Sequence, residues 1–325
     1  MAPLGLRFVL ALAIGTTGCL RVPPAVATEE PQTEVPREDA TALLDGHLSA
    51  RLPASARVVE PMHSVMGAPD PSAERTEVFI EEMAGSDRPR FAMVVTELFL
   101  RSSGDAGADA RQVAAKGERA EPLADASLPI QVLVADERGE GTFLVAAVVT
   151  HPDGTLQEVE FHLDRRSAHR RAHFEALARE LLATFEPGPR RLEAPGGDVE
   201  LPGGLQVEVP EGFVTTHKVG PDFDVVRILE LAVAGEAAST VGVYVGGHPS
   251  LQHSQADAPS ARTEQAGTLL DQSVQWSHWT TAHGTTVKEA IAPLGEHQFV
   301  HVYAFAPDAA AMAGLETVIG TLRSR

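Results

Sequence analysis

One short pattern constrains the chain more than any other feature, because it occurs twice. Leu205-Gln206-Val207-Glu208-Val209-Pro210 repeats the alternation of Leu48-Ser49-Ala50-Arg51-Leu52-Pro53, residue for residue, at an offset of 157. Alternating apolar residues predict a strand with one buried face, and the proline closes its ladder. A second echo ends each copy: Leu181-Leu182-Ala183-Thr184-Phe185 and Val318-Ile319-Gly320-Thr321-Leu322. Between these marks both copies run hairpin, long strands, an irregular or helical middle, more strands and a terminal helix. At 325 residues the chain has room for two ordinary domains. The pattern therefore predicts an internal duplication.

Strands are expected over Thr76–Met83, Phe91–Arg101, Ile130–Val134, Thr142–Thr150 and Leu156–Leu163 in the first copy. Asp109–Lys116 fits a short helix or a loop. Ser167–Phe185 is the clearest helix, with Ser167 as its N-cap and Pro187-Gly188-Pro189 as its stop. In the second copy strands are expected over Phe213–Lys218, Asp224–Val233, Thr240–Val245, Gln275–Thr281, Thr285–Ile291 and Gln298–Phe305. A helix carrying Leu269 and Leu270 is expected within Asp257–Ser273, and another opens at Pro307-Asp308. Short turns between many strands indicate antiparallel sheets. The strand at Phe91–Leu100 is apolar on both faces, which requires cover on both sides. The fold class that follows is α+β: two similar antiparallel-sheet domains with covering helices. Their expected spans are 40–187 and 200–325, joined by a Pro- and Gly-rich linker over 188–199.

The first nineteen residues end at the only cysteine, Cys19. Arg7 is a basic start, Phe8–Ile14 is an apolar run, and Gly15-Thr16-Thr17-Gly18 brings small residues to the cysteine. The run falls far short of the ~20 residues that span a bilayer. It has the layout of a removed export signal over residues 1–18. The residues before Cys19 resemble the lipobox of bacterial lipoproteins, with Thr16 where that family usually has Leu. The resemblance implies lipidation of Cys19, and several acyl chains give stable anchoring at ~0.8 kcal/mol per buried methylene. Residues 19–39 carry four prolines and five acids with few large apolar side chains, and are expected to be a disordered tether.

The opening of the second copy ends in Pro210-Glu211-Gly212-Phe213. With the order of elements, this resembles the PsbP-like fold, small α/β sandwiches of photosystem extrinsic subunits and of many bacterial envelope lipoproteins. The first copy keeps Leu52-Pro53 but has Ser55-Ala56 where Gly-Phe stands later. The resemblance implies assembly, scaffolding or binding, and it brings no catalytic residues to carry over.

The formal charge is −19, and removing residues 1–18 takes away Arg7 and no acid. Strong acidity with no basic stripe argues against nucleic acid as a partner and against adhesion to anionic lipid. One cysteine allows no intramolecular disulfide and no cysteine metal site. The chain has no Walker loop, His-Glu-x-x-His, Cys-x-x-Cys or Gly-x-Ser-x-Gly. Histidines concentrate in the second half: His217, His248, His253, His278, His283, His297 and His301. His248 and His253 flank Pro249 and are the candidate metal ligands there. Trp276 and His278 share one face of their strand, and His297, His301 and Tyr303 share one face of theirs. Together they make a candidate small-ligand face, with the core beneath the last helix as the competing account. Arg165, Arg166, Arg170 and Arg171 crowd a helix start, where positive charge opposes the dipole, and form a candidate partner surface.

The expected function is that of a lipid-anchored cell-envelope protein, not an enzyme, with a binding or scaffolding role and no cofactor. Its expected contacts are the membrane through Cys19 and other envelope proteins. Leu20, in place of an acid after the cysteine, points to the outer membrane, facing the periplasm. The alternatives are a ligand- or metal-binding protein using the second-half histidines, and an envelope hydrolase with a dispersed site.

Overall fold

The computed structural model describes residues 39–59, 74–83, 85, 88–113, 119–134, 143–252 and 262–325. The expected signal segment, Cys19, nearly all of the tether, and His253 lie outside the described residues. Among the described residues no helix is long and apolar enough to cross a membrane.

The first half opens with a small hairpin, β1 (Thr41–Leu43) and β2 (Leu48–Ala50). Next come β3 (Arg57–Val59), β4 (Arg75–Glu82), β5 (Pro89–Arg101), α1 (Ala106–Val113), β6 (Arg119–Pro122), β7 (Ile130–Val134), β8 (Phe143–Thr150) and β9 (Thr155–Leu163). It closes with α2 (Arg171–Ala183) and β10 (Glu186–Pro187), which pairs with β2. The main sheet runs β3-β4-β5-β9-β8-β7-β6, with antiparallel neighbours.

The second half opens with β11 (Gly197–Leu201) and β12 (Leu205–Val209). There follow β13 (Phe213–Val219), β14 (Phe223–Glu230), β15 (Ala232–Val233), β16 (Thr240–Gly246), β17 (Thr263–Leu269), β18 (Gln272–Thr280), β19 (Thr286–Pro293) and β20 (Phe299–Ala306). It closes with α3 (Ala309–Gly320) and β21 (Arg323–Ser324), which pairs with β12. Its main sheet runs β13-β14-β16-β20-β19-β18-β17. Ranked by place along the chain, β15 aside, the two sheets have the same strand order.

Each sheet buries one face beneath its hairpin and terminal helix. In the first half that face carries Phe91, Met93 and Val95 of β5 and Val159, Phe161 and Leu163 of β9. It packs on Phe174, Ala178 and Leu181 of α2 and on Leu43, Leu48 and Leu52 near the hairpin. In the second half Val300, Val302 and Ala304 of β20 meet Met312, Leu315 and Val318 of α3. The opposite face of the first sheet is covered by α1, through Ala110 against Leu133, Val148 and Leu156. That is the two-sided cover the apolar strand required.

The two helix ends are tied to their hairpins in one way. Thr184 Oγ1 donates to Leu181 O at 2.7 Å and accepts from Arg51 N at 3.1 Å. Thr321 Oγ1 donates to Val318 O at 2.7 Å and accepts from Glu208 N at 2.9 Å. The hairpins themselves differ by one residue. Leu43 faces Leu48 across a four-residue connection ending in His47, whereas Leu201 faces Leu205 across three residues, Pro202–Gly204.

Several local expectations are corrected. The segment expected to hold a helix within 257–273 contains the strand β17 and the start of β18, with residues 257–261 outside the described set. Leu270 and Asp271 both adopt positive φ (52° and 59°), forming a tight β17–β18 turn that no α-helix could contain. Ser167 is not the cap of α2. A 3-10 turn, Arg165–Arg170, precedes the helix, and Asp164 accepts from Arg166 N at its start. His297 lies on an exposed bend before β20, not on the strand.

The segment between the halves is docked along its length. Gly188 N donates to His47 O at 2.9 Å, and Arg190 N to Gly46 O at 3.1 Å. A Cβ on Gly188 would fall 2.0 Å from Gly46 O, so only glycine lets these backbones approach. Arg190 also pairs with Glu74 at 2.7 Å. Leu192 and Ala194 pack on Phe99, Val214, Leu229 and Leu231. β15 adds a short parallel pairing to β5, Ala232 opposite Leu100.

Candidate functional site

The β1–β2 connection, the far end of β5, the β8–β9 turn and the docked segment converge at one end of the first sheet. Alternation explains two of the groups there. The inward stripe of β5 runs Phe91, Met93, Val95 and then Glu97, and that of β9 runs Leu163, Phe161, Val159 and then Gln157. Glu97 and Gln157 are cross-strand partners, so the core face ends in a polar rung. The β8–β9 turn, His151-Pro152-Asp153-Gly154, supplies two more. Asp153 accepts from Thr155 N at 3.0 Å and Thr155 Oγ1 at 2.7 Å, an Asx arrangement that orients its carboxylate. The longer connection of the first hairpin supplies His47.

Within the cluster, His47 Nδ1 lies 2.6 Å from Glu97 Oε2, and Gln157 Nε2 donates to Glu97 Oε1 at 3.2 Å. On the other side of its ring, His47 Nε2 lies 2.9 Å from Asp153 Oδ2 and 3.2 Å from His151 Nδ1. His151 Nδ1 is also 2.9 Å from Asp153 Oδ1. Leu192 N, from the docked segment, donates to Asp153 Oδ2 at 3.2 Å. Most of the group is buried: His47 is 0% exposed and Glu97 and His151 are each 1% exposed, while Asp153 is partly open to solvent.

Burial and charge pull against each other here. Burial opposes the His47 cation, but Asp153 and Glu97 outweigh it and raise its pKa to about 9. Burial alone would raise the Asp153 carboxyl, yet hydrogen bonds from His47 and Thr155 hold it well below the usual carboxylate range. Burial pushes Glu97 up despite its bonds to His47 and Gln157. Burial also lowers His151, which stays neutral although it touches Asp153. His151 Nε2 is buried with no hydrogen-bond partner among the described residues. His47, His151 and Asp153 are also the group, among the described residues, whose ligand atoms lie close enough to hold one metal ion.

The sequence-predicted candidates are scattered by comparison. Trp276 and His278 face α3. Lys288 sits over the Trp276 ring at 4.8 Å and pairs with Glu316, at a shallow cleft also lined by Leu269 and Ile319. Burial, then Lys288, lowers the His278 pKa. His301 and Tyr303 point to the opposite face of the same sheet. The register shows this: His278 lies beside Lys288, and Lys288 beside Ala304, a residue of the core under α3. The four therefore do not form one face. The face opposite α3, and not the core under it, holds His301, paired with Glu289 at 2.9 Å, and Tyr303, which accepts from Arg227 Nε at 3.3 Å. His248 is exposed, and its backbone N–H donates to Tyr244 Oη at 3.1 Å.

Arg170 pairs with Glu81 at 2.8 Å and covers the Phe174 ring at 4.6 Å, so it serves packing. Arg165 and Arg166 are exposed on the turn before α2, and Arg171, half-buried, is the first residue of that helix.

No family model matches the chain, and no curated protein matches it. Among solved structures it is similar to a Bacteroides thetaiotaomicron VPI-5482 protein whose crystal structure was determined at 1.50 Å. The identity is 14% and the TM-score 0.27, over 48% of this chain and half of that one.

Proposed function

We propose that this is a lipid-anchored protein of the cell envelope, built from two duplicated PsbP-like α/β sandwiches, that works by binding or scaffolding. The duplication draws support from the common strand order and from the Thr184 and Thr321 ties, which repeat the same bonds at the same places. The anchor draws support from the signal-like stretch ending at Cys19. Cys19 and the acidic tether would hold the folded halves off the outer membrane, facing the periplasm.

One observation favours binding over turnover: the cluster richest in acid–base groups is almost wholly buried, with His47 at 0% and Glu97 at 1% exposure and only the Asp153 side chain, at 13%, reaching solvent. A substrate must reach the groups that act on it, and active sites are open concavities. Buried ionic groups of this kind serve to hold structure or a small ion.

Cys19→Ser tests the anchor. The native protein should take up labelled fatty acid and sediment with membranes, and the variant should do neither. Unchanged labelling in the variant would sink the proposal. Turnover of ester, peptide or phosphoester substrates that His47→Gln abolished would overturn the binding role.

A further inference from the structure

We propose that His47, His151 and Asp153 form a site for one divalent cation of the zinc class. The inference is independent of the lipid anchor. It rests first on the atoms that face one another. The backbone N–H of Asp153 can only donate, and it lies 3.3 Å from His151 Nδ1, so that nitrogen presents its lone pair to the cluster. Asp153 Oδ1, also an acceptor, is 2.9 Å from it, and His47 Nε2 is 3.2 Å away. A proton on His47 Nε2 lies nearer Asp153 Oδ2, at 2.9 Å, than His151 Nδ1. The contact between His151 Nδ1 and Asp153 Oδ1 then sets two lone pairs against each other in a buried site. A cation between them turns that repulsion into coordination.

The spacing suits such an ion. Ligand atoms ~2.0–2.1 Å from zinc in a tetrahedral shell lie roughly 3.3 Å apart. The two imidazole nitrogens are 3.2 Å apart, and each lies 2.9 Å from one carboxylate oxygen of Asp153, His47 Nε2 from Oδ2 and His151 Nδ1 from Oδ1. Two imidazole nitrogens and one carboxylate form a borderline donor set that suits zinc better than calcium or magnesium, which prefer oxygen alone.

The surrounding shell has the matching form. A metal-bound imidazole characteristically gives its other N–H to a carboxylate, which fixes the tautomer and raises the ligand's basicity. His47 Nδ1 meets Glu97 at 2.6 Å, and Gln157 holds Glu97 from behind. Asp153 is fixed by Thr155 and by Leu192 N, so occupation would also brace the segment that joins the two halves.

Finally, the fold does not need this polarity. In the second sheet the last core-facing rung between β16 and β20, at the end where the hairpin connection packs, is Val245 opposite Val300. A Cβ on Gly203, in the second hairpin connection, would come within 2.7 Å of Leu294 and 3.2 Å of Val245. The same corner thus closes with apolar side chains. A sequence that breaks the apolar pattern at one of two like corners marks a functional requirement there.

The test uses the full chain, expressed with zinc in the medium and passed through metal-free buffer. Elemental analysis should find one zinc ion per chain. After a chelator removes it, cobalt should bind with the same stoichiometry, show visible d–d bands and raise the unfolding temperature. His151→Gln and Asp153→Asn should abolish binding. Val300→Ala, which weakens the corresponding corner of the second sheet, should keep it. Folded native protein that carries no zinc and takes up no cobalt would overturn the proposal, as would retention of the ion in both site variants. Because the first of these outcomes needs no variant, a misfolded mutant cannot protect the idea.

Discussion

The two hairpin connections differ in length by one residue, and the longer one ends in His47. On the shorter side, Gly203 lets the turn lie against Leu294 and Val245. On the longer side the His47 imidazole fills the corner between Glu97, His151 and Asp153. The apolar corner stabilises in proportion to the area it removes from water, ~25 cal/mol per Å². The polar corner gains only if its charges are paired, because stripping water from an ion costs several kcal/mol. Two like frames have thus solved one packing problem by opposite means. The difference teaches that the cluster is an addition to the fold and not a condition of it.

The sharpest way to break this comparison is to remove one partner from each corner. Asp153→Ala leaves His47 Nε2, Thr155 N and Leu192 N without their acceptor in a buried site. The loss should be about 3–5 kcal/mol in urea unfolding followed by circular dichroism. Val300→Ala, fully buried in the second sheet, should cost about 2 kcal/mol. Equal losses would mean that the polar corner behaves as ordinary core.

pH separates the corners next, in protein freed of metal by a chelator. His47 has a folded pKa of about 9, above its unfolded value near 6.5. Its contribution is therefore full below pH ~6.5 and disappears as pH rises through about 9, a change on the order of 3 kcal/mol. Asp153 is shifted the other way, so its contribution is present above its unfolded pKa, near 3.8, and is lost as pH falls below that. The contributions of His47 and Asp153 are both full between roughly pH 4 and 6.5, while the lowered His151 and the raised Glu97 act in the opposite sense there. His47→Gln should flatten the alkaline limb, and a limb unchanged in that variant would assign it to other groups.

What the sequence made legible follows the same division. The sheets could be read because each strand repeats every second residue and the apolar positions obey it, as in Phe91, Met93 and Val95. The duplicated hexapeptide located both hairpins, and the Thr184 and Thr321 echo marked the helix ends. β17 could not be read this way. Thr263–Leu269 has polar residues on both faces and a glycine in the middle, and Leu269-Leu270 imitated a helical pair although it straddles a turn. The ligand face assembled from Trp276, His278, His301 and Tyr303 failed for another reason. Alternation tells which residues of one strand share a side, but only cross-strand register tells whether two strands turn those sides the same way. His297, grouped with them by the same alternation, lies before its strand begins. The His47 cluster was not legible in the same way, because histidines concentrate in the second half. Two faint signals were present: a stripe of three apolar residues ending in Glu97, and a His-Pro-Asp-Gly turn. Neither names His47, which comes from a turn 50 residues before Glu97 and 104 before His151.

The smallest effect probes where the halves agree. Each helix ends in a threonine whose hydroxyl reaches back to its own helix and accepts an N–H from its own hairpin. Valine keeps the shape and removes the hydroxyl. Thr184→Val should leave Arg51 N without that acceptor, and Thr321→Val should do the same to Glu208 N. Both sites are only partly shielded, so water can replace some of what is lost. A hydrogen bond of this kind contributes about 1 kcal/mol. The two variants should therefore lose similar amounts, and the double variant their sum, since the sites share no partner. Equal losses here beside unequal losses at the corners would confine the difference between the halves to the His47 cluster. Unequal losses would show that the helix ends differ as well, and that the common strand order overstates the likeness of the two frames.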